Sequence, residues 1–226
     1  MWPRPLTRKL LRECWTSRAQ LLAIALVLGS GVTTLVTSLS TLDTLRATRS
    51  AFYSEYRFAD VFANLKRAPE SVRSRLAEIP GVQTVETRVV GAARLHVDGF
   101  GDPVNARLTS LPDGAEPVLN RLYLRAGRLP AAGSTAEAVV SEAFAGAHGL
   151  PPGDHLEAVI NGRERRIRIV GIGLSPEYVY QIKPGDLFPD YRRYAVLWMD
   201  RDALEAAYDM DGAFNDVAAT LAPGGR

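Results

Sequence analysis

The spacing of apolar and polar positions divides the chain into an uncharged stretch, a helical continuation and an alternating, strand-rich remainder. No residue between Arg18 and Asp43 carries a charge, and residues 21–28 are wholly apolar. Twenty-four helical positions at about 1.5 Å each exceed the roughly 30 Å hydrocarbon layer of a bilayer, so residues 19–42 are expected to form a transmembrane helix. A cleaved signal peptide is the rival reading. The stretch is longer than the ~7–15-residue apolar core of such peptides, and no Ala-x-Ala site follows it.

Within this span Ala25, Gly29, Thr33 and Thr37 recur every fourth residue. They form a small-residue helix-packing face of the kind that lets helices approach closely in lipid. The alternative is that the many hydroxyls there bond back to carbonyls of the preceding turn. The helical pattern continues through Leu35, Leu39, Leu42, Leu45, Phe52 and Tyr56, with no Pro or Gly from 41 to 56. Residues 43–57 are therefore expected to continue the helix as a stalk. Ahead of the span, residues 5–17 place Leu6, Leu10 and Cys14 on one face, with Arg8, Lys9 and Arg12 able to snorkel. This reads either as an interfacial helix or as a basic flank that only sets topology.

Beyond the stalk, residues 59–65 read as a strand, and Pro69 opens a helix with Val72, Leu76 and Ile79 inward. Residues 85–97 alternate, with Val85, Thr87, Val89, Ala93, Leu95 and Val97 on one side and Glu86, Arg88, Arg94, His96 and Asp98 on the other. A similar unit ends the chain: strand 194–199, a helix 201–209 capped by Asp200, and strand 216–221. Two strand–helix–strand units predict an α+β fold with a split βαβ sheet (residues 58–100 and 192–226) and an inserted β-rich subdomain (101–191). Inside the insertion, 104–111 and 137–140 read as strands and 141–148 as a helix. Asn161-Gly162, between alternating runs, predicts a type I′ hairpin. Residues 173–191 form a loop rich in Pro and aromatics.

Charge adds a direction. Residues 1–18 hold five basic groups against Glu13 alone, a net +4, whereas the remaining 22 basic and 24 acidic groups give −2. The basic arm (1–18) is expected to stay cytoplasmic and residues 43–226 to be exported. The overall net charge of +2 excludes a generally basic nucleic-acid binder. Hydrophobic residues at 46% and charged ones at 23% exclude a disordered chain. Cys14 is the single cysteine, so the exported part has no internal disulfide.

Catalytic chemistry is sparse. There is no Gly-Lys dipeptide and hence no P-loop, no His-Glu-x-x-His, and Ser175 lacks a Gly-x-Ser-x-Gly setting. His96, His148 and His155 fall on different expected elements. Asp186, Asp190, Asp200 and Asp202 lack calcium-loop spacing. Arg163, Arg165, Arg166 and Arg168 read as a solvated hairpin edge protected by charge. No cofactor, metal or catalytic residue is expected, and the chain is not expected to be an enzyme.

Leu124-Arg125-Ala126-Gly127-Arg128-Leu129-Pro130 contains Gly-Arg-x-Pro. It is followed by Glu137-Ala138-Val139-Val140-Ser141, Gly149-x-x-x-Gly153-Asp154, Asn161-Gly162 and Ile169-Val170-Gly171-Ile172. This ordered set resembles the extracytoplasmic domain of FtsX-like (MacB-type) ABC transporter permeases. The resemblance implies a porter-like sheet and a permease component of export or mechanotransmission type in a bacterial inner membrane. It also implies three partners: a cytoplasmic ABC ATPase subunit that hydrolyses the ATP, further transmembrane helices of the permease, and the lipid bilayer. Family members continue into further spans, so the chain is expected to be an N-terminal portion. A single-pass sensor, or an assembly scaffold with an exported α/β domain, is the alternative.

Overall fold

A computed structural model describes residues 15–112 and 115–222, together with Lys9, Arg12 and Glu13. The expected helix over 5–17 lies largely outside the described residues. Two compact units meet in sequence between Ala51 and Phe52.

The first unit is dominated by helix α1 (Arg18–Glu55), whose last turn belongs to the second unit. It is long and apolar enough to cross a membrane. Leu21, Leu22, Leu26, Val27, Leu28 and Leu35 are all exposed, which in water leaves a large apolar surface uncompensated. The hydroxyls of Thr34, Ser38, Thr41 and Thr44 donate to carbonyls four residues back, and Ser30 Oγ donates to Val27 O. Back-bonding thus satisfies these hydroxyls. Ala25, Gly29, Thr33 and Thr37 lie on one row, which continues into Thr41, exposed, with open space where a Gly29 side chain would project.

The helix ends in a Schellman motif. Phe58 N–H donates to Tyr53 O (2.9 Å) and Arg57 N–H to Ser54 O (3.3 Å), with Arg57 in the left-handed conformation at φ +50°.

The second unit holds two sheets. The smaller is antiparallel in the order β1-β10-β2, from β1 (Val61–Pro69), β2 (Val82–Arg88) and β10 (Ala213–Leu221). Helix α2 (Val72–Ala77) follows β1, and its Val72 and Leu76 pack on Val85, Phe214, Val217 and Ala219. Pro69 closes β1 rather than opening the helix, and Ile79 is half exposed.

The larger sheet contains β3 (Val90–Val97), β4 (Phe100–Leu111), β5 (Tyr123–Gly127), β6 (Glu137–Ser141), β7 (His155–Ile160), β8 (Arg163–Leu174) and β9 (Tyr194–Asp200). Its order is β5-β8-β6-β9-β4-β3-β7, and β7 also pairs with β8. The strands from β8 round to β7 therefore close into a ring. One continuous core runs through that ring: Ala93, Leu95, Val104, Leu108, Val140, Leu156, Ile160, Ile167, Ile169 and Leu197 among others. Helix α3 (Glu142–His148) adds Phe144 and helix α4 (Arg201–Tyr208) adds Leu204. At about 25 cal/mol per Å², burial of such side chains contributes about 1.5–3 kcal/mol each against the chain entropy lost.

The β7–β8 hairpin turns on Asn161 (φ +47°) and Gly162 (φ +76°), the two positive dihedrals a type I′ turn requires. Strand β9 corrects the expected topology. It pairs in parallel with β4 and antiparallel with β6 instead of joining the sheet of β1, which therefore holds one strand–helix–strand unit, β1-α2-β2 with β10 between its strands, and not two. All seven of its residues are buried. A strand covered on both faces belongs in the middle of the larger sheet. The alternating run 85–97 also divides. The chain leaves the small sheet after Arg88 and enters the ring at Val90, and Asn215 bonds both backbone groups of Val90 (2.7 Å each).

Candidate functional site

Two polar arrangements in the second unit are built from side chains far apart in sequence. The first centres on Arg88, the last residue of β2, which is 5% exposed. Its Nε donates to Asp216 Oδ1 at 2.7 Å, and Nη1 and Nη2 donate to the two carboxylate oxygens of Glu177 at 2.6 and 3.2 Å. Asp216 lies directly across the ladder on β10. Glu177 sits on a single 3-10 turn, Pro176–Tyr178, whose start is fixed by Glu177 N–H donating to Ser175 Oγ. Arg107 of β4 completes the group: Nε donates to Tyr178 Oη (2.8 Å), and Nη2 is 3.6 Å from Asp216 Oδ2. Two guanidinium groups thus face two carboxylates, and four segments are drawn together.

Burial alone would lower the Arg88 pKa. Glu177 and Asp216 outweigh it and push it upward, so the charge is fixed. Burial raises the Tyr178 phenol well above its usual range, and Glu177 adds to this. Nearby Glu86, also buried, accepts a hydrogen bond from Leu119 N–H at 2.8 Å, and burial pushes its pKa up. Balanced pairs with satisfied hydrogen bonds supply neither a nucleophile nor a proton relay. Their chemistry is cohesion between the small sheet, the ring and the turn.

The second arrangement gathers the motif segments around β8. Arg128 N–H donates to Val170 O, Arg168 N–H to Ala136 O, Gly153 N–H to Ile169 O and Ile169 N–H to Asp154 O, all between 2.7 and 2.9 Å. Arg128 grips Glu137 through both its terminal nitrogens (2.8 and 2.6 Å), and Glu137 also accepts from Ala131 N–H. Gly127, at φ +79°, lies against Val170 O, and a side chain on Gly171 would meet Arg128 O. Gly-Arg-x-Pro is therefore a backbone crossing locked by an ion pair.

The Arg128 hydrogen bonds, against some burial, hold the Glu137 carboxyl well below the carboxylate range, at about 2. A depressed folded pKa contributes stability that is present above the unfolded value, near 4.3, and lost as pH falls through about 2. Glu137→Gln is expected to lose this component. Denaturation midpoints measured from pH 6 to pH 2 should fall more steeply for the parent chain than for the variant, the gap closing across that window.

The other sequence candidates do not converge. His96 and His155 are exposed on β3 and β7, and His148 packs against Phe100 and Phe144 with Nε2 at 2.9 Å from Arg192 O. Asp186 pairs with Lys183 and Asp190 with Arg193, while Asp200 and Asp202 stand at the start of α4. Ser175 is buried. Alternation along β2 marked Glu86 and Arg88 as outward, but other segments cover that face. Nothing local in the sequence announces the cover.

No protein-family model matches the sequence, and no curated protein matches it. Among solved structures the chain is similar to the extracellular domain of the noncanonic ABC-type transporter YknZ from Gram-positive bacteria, at 13% identity and a TM-score of 0.46, covering 72% of this chain and 82% of that one. It is also similar to the periplasmic region of MacB from Actinobacillus actinomycetemcomitans, at 13% identity and a TM-score of 0.39, covering 71% of this chain and 66% of that one. Two of the solved structures that this chain resembles are thus the extracellular domain of an ABC-type transporter and the periplasmic region of MacB.

Proposed function

We propose that the chain belongs to the transmembrane component of an ABC transporter, of export or mechanotransmission type, acting with a cytoplasmic ABC ATPase. The observation that carries this reading is the joint occurrence of a 38-residue helix with an exposed apolar span and the motif set gathered around β8. The motif set is what makes the sequence resemble permeases. With no phosphate-cradling loop in the sequence, ATP turnover falls to the partner. In this reading residues 1–18 are cytoplasmic, 19–42 cross the bacterial inner membrane, 43–57 form a stalk and the remainder is periplasmic or extracellular. The row Ala25, Gly29, Thr33 and Thr37 packs on another span of the permease.

The test combines topology and partnership in intact cells. With an impermeant thiol reagent, Leu187→Cys in a Cys14→Ser background is expected to label directly, since Leu187 is highly exposed. Cys14 of the parent chain should label only after permeabilisation. The tagged full-length protein, purified from native membranes, should bring down a nucleotide-binding subunit and its ATPase activity. Gly29→Leu should weaken transport by the assembly, a loss of about 1–2 kcal/mol in helix packing, without blocking insertion. Labelling of Cys14 alone in intact cells overturns the orientation. Purification without any ATPase overturns the transporter reading.

A further inference from the structure

Asn120 sits where three parts of the second unit meet. It is 4% exposed and adopts a left-handed backbone at φ +50°, which asparagine tolerates better than most residues. Each polar side-chain atom is used. Oδ1 accepts from Ala59 N–H at 3.0 Å, and Nδ2 donates to Glu177 Oε2 at 3.1 Å. Its own N–H donates to Arg57 O, and the next, Arg121 N–H, donates to Tyr56 O, both at 2.9 Å. Those two carbonyls belong to the residues just past α1, which the helix itself leaves without a partner. One residue earlier, Leu119 is held to the small sheet through Glu86 and packs with Ala59 and Ala218.

We infer that loop 115–121 is a clasp with Asn120 as its positioning residue. It fastens the segment that follows the helix, residues 56–59, to the Glu177–Arg88–Asp216 cluster. Arg88 joins the two sheets; Asn120 joins the incoming chain to them. The two roles are separable. Removing the Asn120 side chain releases the Ala59 amide and the tie to Glu177, while the backbone bonds to Tyr56 and Arg57 and the lock between the sheets remain. A displacement of the last helical turn has its direct route to Glu177, and through it to Arg88, in this amide. The clasp does not depend on the transporter reading, and its test involves no ATPase.

Hydrogen exchange on the full chain in lipid nanodiscs reads the clasp directly. Asn120→Gly removes the side chain while suiting the positive φ, so it adds no backbone strain. Within segment 57–60 the Ala59 amide, which loses its acceptor, and with it segment 118–122, are expected to exchange at least about tenfold faster, with β4 and β9 unchanged, as befits a local opening. Asn120→Asp keeps the acceptor for Ala59 N–H but sets a carboxylate against Glu177. In that variant 57–60 should stay protected while 175–179 speeds up. Unchanged exchange at 57–60 in Asn120→Gly, or an even acceleration through both sheets, overturns the proposal.

Discussion

Replacing Arg88 with methionine is expected to lower the thermal midpoint of the second unit by roughly 10 °C. Methionine fills much of the volume but leaves the buried Asp216, 2% exposed, and the partly buried Glu177 without their main partner. Removing one partner of a buried pair costs about 3–5 kcal/mol. In a domain of this size each kcal/mol moves the midpoint by about 2–4 °C. The stranded charges, not the lost packing, account for the cost. Adding Asp216→Asn and Glu177→Gln to Arg88→Met should therefore recover much of the loss. Calorimetry of the single and triple variants checks this. A triple variant no more stable than the single one would place the cost in packing instead.

Gly127→Ala is expected to be comparably harmful, for a reason of backbone geometry. The residue is at φ +79°, and a new Cβ would overlap Val170 O and lie 2.7 Å from Gly171 Cα, both main-chain atoms that cannot swing aside. Strain at a positive φ combined with such a collision should cost about 3 kcal/mol or more. Gly149→Ala is the matched control. Gly149 also has a positive φ (+66°), at the end of α3, but nothing lies within 4 Å of the new Cβ. It should cost about 1 kcal/mol. Unfolding curves followed by the fluorescence of the buried Trp198 compare the two. Equal losses would mean that conformational strain alone, without the crossing at Val170, governs both.

These contrasts show which parts of the fold could be read from the sequence. The long apolar helix, the Asn161-Gly162 hairpin and the strands at 104–111, 137–140 and 194–199 were legible because each depends on neighbours a few residues away. The sheet that Tyr194–Asp200 joins was not, because its partner Asn105–Leu111 is remote and alternation says nothing about which edge is met. The polar cluster failed the same way. Arg88 and Glu86 occupy the side of β2 that alternation marks as polar, and only residues 33 to 128 positions away turn that side into interior. Of the motif set, the order was visible, but the crossing of Gly127 over Gly171 that explains both glycines was not.

The pairing of the small sheet also has a consequence for the order of events during synthesis. Strands β1 and β2 emerge early, yet neither pairs with the other; both are hydrogen-bonded only to β10, as in Val61 with Ala219 and Val85 with Ala219. The ring likewise waits for β9 to bridge β4 and β6. Such distant pairings make folding slow and leave apolar strands exposed meanwhile. The first strands made must therefore wait unpaired until the last one arrives, and a ribosome stalled before Ala213 holds a chain whose small sheet cannot yet exist.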